Sequence, residues 1–215
     1  MLLPLFPLNT VLFPGMPLTL HIFEERYKLM ISRCIAEQSP FGVVLIRSGS
    51  EVQGLGPSAE PYQVGCTAII TQVQKTELNR INLIAVGRQR FFIEELDKSL
   101  PYLQGHVRIL QAAEHTHHET ESEILGSLIQ RYLRAVARQE NLDFESVQLP
   151  PDSASLAYLG ASVLRLDLGE KQRLLEIEHL PDLIQQVTAM FRKELALLHI
   201  LSQSKTYEGG VFSLN

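Results

Sequence analysis

VGCTAIITQVQ, residues Val64–Gln74, reads as one long β-strand. Cys66, Ala68 and Ile70 fall on one side, and Thr67, Ile69, Thr71 and Val73 on the other, the alternation that a pleated strand imposes. Asn79 and Arg80 turn the chain into a second strand, Ile81–Val86, and Gly87 leads through Arg88 and Arg90 into Phe91-Phe92-Ile93. His106–Leu110 is a last strand. A meander of β-branched and aromatic segments of this kind closes into a small barrel, because closure removes exposed strand edges.

Toward the amino terminus the pattern stays mostly extended. Phe41–Ile46 is a short β-branched run expected to be covered on both faces. Ser48–Tyr62, rich in Gly, Ser and Pro, reads as a surface loop expected to be mobile. Between Glu24 and Gln38 the period becomes helical: Phe23, Tyr27, Met30, Ile31, Cys34 and Ile35 share a face, and Pro40 follows the end. Leu2–Phe6, Thr10–Phe13 and Leu18–Ile22 are extended segments. Pro14-Gly15-Met16-Pro17 between them is a rigid turn, since proline fixes φ and removes a donor.

Toward the carboxyl terminus the class changes within residues 111–120, where no periodic apolar set survives. Ile124, Leu128, Tyr132 and Val136 then mark a long helix ending near Glu140. Ala154–Leu166 forms a second, with Leu156, Leu159, Val163 and Leu164 inward. Asp167 followed by Glu170 resembles a capping box for a third, containing Leu174, Leu175 and Ile177. A fourth after Pro181 presents Ile184, Val187, Phe191, Leu195 and Leu198. Together they read as a Leu-rich bundle. The expected organisation is a β-rich domain over 1–112 with one long helix, a helical subdomain over 119–202, and a flexible tail over 203–215.

The 215 residues, 45% hydrophobic and 20% charged, are enough for a core in each half without disulfides or metal. Cys34 and Cys66 are the only cysteines, which fits a reducing cytoplasm. The apolar start has no basic n-region and is interrupted by Pro4, Pro7 and Pro14, so neither a leader nor a membrane span is expected. Through Ala113 there are 10 basic and 9 acidic residues; from Glu114 there are 9 basic and 15 acidic. An acidic helical half repels phosphate backbones, so nucleic acid is disfavoured as the main partner. Arg80, Arg88, Arg90 and Arg108 are the residues an RNA-binding alternative would use.

Catalytic chemistry finds no support. There is no G-x-S-x-G elbow and no P-loop run. Gly54-Leu55-Gly56 is too short for a dinucleotide loop, and Glu94, Glu95 and Asp97 read as surface carboxylates at a strand end. His106, His115, His117 and His118, with Glu114 and Glu119, form the one cluster with metal-ligand chemistry, but on a linker without H-E-x-x-H spacing. No catalytic residue, metal or cofactor is expected. Phe6, Phe13, Met16 and Phe23 surround the amino-terminal prolines. They either plug one end of the barrel or border a groove for an extended peptide.

Four ordered blocks resemble a known family. Residues Leu5–Leu18, LFPLNTVLFPGMPL, continued by His21–Tyr27, HIFEERY, are similar to the opening of the Lon protease amino-terminal, or LON substrate-binding, domain in its stand-alone bacterial form. Val64–Ala68 and Val86–Phe91 resemble its barrel motifs, and Lys171–Glu176 its helical signature. The resemblance implies an α+β fold, a PUA-like β pseudo-barrel followed by a helical bundle. It implies a non-catalytic module that binds unfolded or extended polypeptide or a protein partner, working in protein quality control. The family's ATPase and peptidase are not expected here. Neither are the zinc site and tryptophan cage of the related cereblon domain, as this chain has no Trp and two Cys. Oligomerisation is left open.

Overall fold

The structure, a computed structural model, describes residues 1–50, 59–76, 80–110, 119–140, 142–143 and 146–208. The HTHH cluster at 115–118, the Gly54-Leu55-Gly56 run and most of the junction expected at 111–120 lie outside the described residues. The chain forms two compact units: Met1–Glu114 with Ala161–Ile177, and His115–Gly160 with Glu178–Asn215. The helical half expected over 119–202 is therefore not one piece, because residues 161–177 return to the β-rich unit.

In the first unit the strands are β1 (Leu2–Leu8), β2 (Pro17–Ile22), β3 (Phe41–Ser48), β4 (Glu60–Pro61), β5 (Val64–Lys75), β6 (Ile81–Asp97) and β7 (Gln104–Ile109). They run in the order β1-β7-β6-β5-β3-β4, and β1 pairs with β3 to close a ring. β1 and β3 are parallel while the other pairs are antiparallel. β2 lies off this path, on β6 alone. Thr10–Phe13 is not part of any strand, whereas β1 runs two residues beyond the expected Phe6, through Pro4 and Pro7 to Leu8.

Leu3, Leu5, Val44, Phe91, Ile93 and Val107 fill one side of the ring. The Phe91 ring fits there because two facing residues have no side chain. A Cβ on Gly42 would sit 2.7 Å from Phe91 Cζ, and one on Gly65 2.6 Å from the same atom. The larger core packs against α1 (Glu25–Glu37), which buries Tyr27, Met30, Ile31 and Cys34 against Phe6, Leu20, Phe41, Cys66 and Leu83. Phe6 stacks on Tyr27 with ring centroids 4.0 Å apart. Phe23 and Ile35, expected on the buried face of α1, are 52% and 41% exposed.

The later helices are α2 (Glu119–Gln139), α3 (Ser153–Val163), α4 (Leu168–Glu176) and α5 (Leu180–Glu208). In the second unit α2 packs on α5, and Leu125, Leu128, Ile129 and Tyr132 of α2 are buried. Ile124, expected inward, is exposed. Leu128 and Tyr132 are buried as expected, and the Tyr132 ring meets Phe191 edge-on at 5.3 Å; Leu125 and Ile129 widen the buried face to one side. Helix α5 continues through 203–208, part of the expected tail.

α4 belongs to the first unit rather than to a bundle. Asp167 caps it by accepting the Glu170 amide at 2.7 Å, one half of the expected capping box. Gln172 Nε2 donates to the Val64 carbonyl of β5 at 3.0 Å. The buried Arg90 guanidinium donates to the carbonyls of Leu175, at 2.9 Å, and of Ile177, groups that a helix carboxyl terminus leaves without partners.

Candidate functional site

Pro14–Pro17 decides where β2 starts. Gly15 adopts φ +79°, a conformation open to glycine, and its amide donates to the Gly87 carbonyl at 2.9 Å. The Gly87 amide in turn donates to the Met16 carbonyl at 2.9 Å. A Cβ on Gly87 would lie 2.3 Å from the Phe13 carbonyl oxygen, so the turn can sit directly on the strand only because residue 87 is glycine. The two glycines thereby set β2 in register on β6.

Cross-strand partners point to the same face. Pairing of β2 with β6 and β6 with β5 therefore places three rows side by side: Pro17, Val86 and Ile69; Thr19, Ile84 and Gln72; His21, Asn82 and Gln74. The alternate residues Leu20, Ile22, Leu83 and Ala85 are core, which leaves these rows on the outward face. Pro17, Thr19, His21, Ile69, Gln72 and Gln74 are exposed. His21 Nδ1 contacts Asn82 Oδ1 across the strands, and Thr71 Oγ1 donates to the Ile84 carbonyl at 3.0 Å. No member of the rows is an Asp, Glu, Lys or Arg.

The four residues suggested as a peptide surface separate into two pairs. Phe6 and Phe13 are 5% and 1% exposed; they are buried and offer no surface, Phe6 packing against Tyr27 and Phe41. Met16 is partly buried, packed on the core, with its sulfur 3.2 Å from Ser162 Oγ. Phe23 is exposed and follows directly on β2. The outward row of β2 thus runs between Met16 and Phe23, the pair that remains at a surface. Alternation put Ile69 opposite Cys66 and Ala68 without saying which side is outward, and Ile84 and Val86 had no such signal, because β-branched residues in a strand read as core.

The arginines of the RNA alternative do not gather. Arg90 is 4% exposed and its guanidinium is engaged with the end of α4. Arg108 lies 3.5 Å from Glu94 and over the Phe92 ring. Arg80, just before β6, and Arg88 within it are exposed but stand eight positions apart along the chain, at most about 27 Å at the rise of a strand. Among the described residues no group of three or more His, Cys, Asp or Glu is placed to hold a metal ion, and no helix is long and apolar enough to cross a membrane.

Comparison with known proteins places this architecture. The family described as the ATP-dependent protease La (LON) substrate-binding domain matches residues 2–193. The Lon protease of Parabacteroides distasonis is 28% identical over 215 residues, covering 96% of this chain and 26% of the relative. The Lon protease of Syntrophus aciditrophicus is 24% identical over 210 residues, covering 94% and 26%. The chain thus spans about a quarter of the length of these relatives. Among solved structures, a Lon N-terminal domain protein from Xanthomonas campestris aligns with a TM-score of 0.67 at 25% identity, covering 88% of this chain and 98% of that one. The N-terminal domain of the Mycobacterium avium complex Lon protease aligns at 0.65, with 17% identity and coverage of 89% and 98%, a likeness of fold.

Proposed function

Because the chain belongs to the family of the ATP-dependent protease La (LON) substrate-binding domain, we propose that it is a recognition module for unfolded or extended polypeptide, working in protein quality control. The ring of strands is read here as a PUA-like pseudo-barrel that holds the recognition surface. The reading takes substrate binding from the family's description. It leaves out ATP hydrolysis and proteolysis, since the chain covers about a quarter of its relatives, 26% in the two compared above. Two free, buried thiols, Cys34 and Cys66, fit a reducing compartment such as the cytoplasm.

The observation that carries this reading is the three uncharged rows on β2, β6 and β5, from Pro17–Val86–Ile69 to His21–Asn82–Gln74, with Phe23 at their end, 52% exposed. Uncharged strand residues accept an extended chain without stranding a charge, and an exposed aromatic ring supplies much of the energy of an interface. Phe23→Glu replaces the ring with a charge outside the core, so the fold should stand. On an array of peptides graded in hydrophobicity and charge, the parent chain should bind apolar, weakly charged sequences, and Phe23→Glu should weaken them roughly tenfold. An array on which the parent chain binds nothing reproducibly would sink the reading.

A further inference from the structure

We propose that the outer edge of β2 takes up an extended, uncharged polypeptide segment as an added strand. This rests on the recognition reading above and narrows it to one edge and one mode of binding.

The phase of the ladder identifies the groups available. In an antiparallel pair, directly opposed residues alternate between exchanging backbone hydrogen bonds and exchanging none. The Gly87 amide bonded to the Met16 carbonyl makes that position a bonding one. By the observed register Leu18, Leu20 and Ile22 then bond to Ala85, Leu83 and Ile81. The peptide groups of Thr19 and His21 face the other way, about 6.8 Å apart. Among the described residues no strand pairs with that edge. Two N–H groups and two carbonyls at strand spacing match the backbone of an extended chain, the pairing used in strand-addition complexes.

Natural edges are blunted by proline, by bulges and by charge. Here Pro17 and the doubled residues Gly15 and Met16 opposite Gly87 protect the start of the edge, but Leu18–Ile22, LTLHI, contains no Asp, Glu, Lys or Arg. The same holds for the three rows beside it, in a chain that is 20% charged. A charged residue on the incoming segment would find no counter-charge in those rows. Uncharged β-branched residues would extend the Pro17–Val86–Ile69 and Thr19–Ile84–Gln72 rows by one member, and an apolar residue at the segment's end would meet Phe23.

The test uses the full chain and an alternating Thr-Val peptide of roughly eight residues, long enough to span a strand of usual length. A second peptide carries N-methyl groups on its two central residues, which face opposite edges. Amide exchange should slow at Thr19 and His21 on adding the first peptide. It should not change at Leu18, Leu20 and Ile22. The N-methylated peptide should bind at least about tenfold more weakly, as loss of backbone bonds requires, and Thr19→Pro should impose a similar loss. If Thr19→Pro disturbs the fold, Thr19→Lys, which keeps the amide and adds an edge charge, should weaken binding instead. Equal binding of both peptides with no protection at Thr19 and His21 would overturn strand addition and leave polypeptide recognition standing. The edge proposal falls alone if neither peptide binds while the array finds ligands; if the array is blank as well, both fall. Protection that grows with protein concentration in the absence of peptide would assign the edge to a second copy of the chain and overturn the proposal.

Discussion

The Cys66 thiol is wholly enclosed in the larger core of the first unit. Desolvation pushes its pKa from the usual 9.0 up to about 12, against the opposing pull of the Arg88 backbone and the Arg90 charge. A thiol is charged when it loses its proton, so the raised value means that the fold holds the neutral form. Below pH 9 both folded and unfolded chains are protonated and the full stability is present. Between pH 9 and 12 the unfolded thiol ionises while the folded one does not, and stability falls with a limiting slope of about 1.4 kcal/mol per pH unit. Cys66→Ala removes that term and leaves the other titrating groups in place. Urea unfolding at pH 8 and at pH 10.5 should therefore show a steeper alkaline loss for the parent chain than for the variant. Parallel losses would mean that this thiol is not what titrates. That Cys66 shares a face with Ala68 was legible in the sequence from alternation; that this face is the inward one was not. The roles of Phe6, Phe13 and Arg90 were not. A phenylalanine beside prolines reads equally as plug or as surface, and an arginine reads as solvated unless its acceptors are known, here carbonyls 85 and 87 positions away.

At the scale of an element, α4 shows what local signals can and cannot say. Its start is written in Asp167, whose carboxylate accepts the Glu170 amide at 2.7 Å, an acceptor that a helix amino terminus needs. Asp167→Ala should cost about 1 kcal/mol. Because α4 packs on β5, the loss should appear in the unfolding of the first unit, followed by the protection of β5 amides against exchange. Unchanged protection of β5 would show that the cap steadies α4 without steadying the strand beneath it. What the helix packs against is not written locally. Leu174 and Leu175 give an apolar face that would suit any partner, and a bundle was the expectation because the neighbouring segments are helical. α2 makes the same point about rotation. Ile124, Leu128 and Tyr132 form a valid helical ladder, yet the buried face takes Leu125 and Ile129 with Leu128 and Tyr132 and leaves Ile124 out, a rotation that local spacing does not settle. In β2 the period was readable, but its status as an edge depends on which strands stand beside it, a long-range matter that alternation does not encode.

For the whole molecule the consequential feature is that the first unit is assembled from two stretches of chain, Met1–Glu114 and Ala161–Ile177. A cut at residue 114, where composition and charge change, looks like a domain boundary in sequence and removes part of the domain in fact. The truncated chain would retain the ring but lose both acceptors of the Arg90 guanidinium, a group 4% exposed in the intact unit. It would also lose the Gln172 donor to the Val64 carbonyl and the cover that Leu174 and Leu175 provide. Truncation also opens the guanidinium to water, so what is lost is its hydrogen bonds, about 1.5–3 kcal/mol for a bond to a charged group, together with the apolar cover, a large part of the roughly 5–15 kcal/mol that holds a domain together. Residues 1–114 alone should therefore melt well below the full chain. A synthetic peptide covering 161–177 should raise that melting temperature in a concentration-dependent way, because a ligand that binds only the folded state stabilises it by mass action. The Asp167→Ala version of the peptide should be less effective at equal concentration, and an Arg90→Met version of the ring should respond least. A truncated chain as stable as its parent, indifferent to the peptide, would mean that the returning segment decorates the first unit without completing it. The β2 edge would then be carried by residues 1–114 alone.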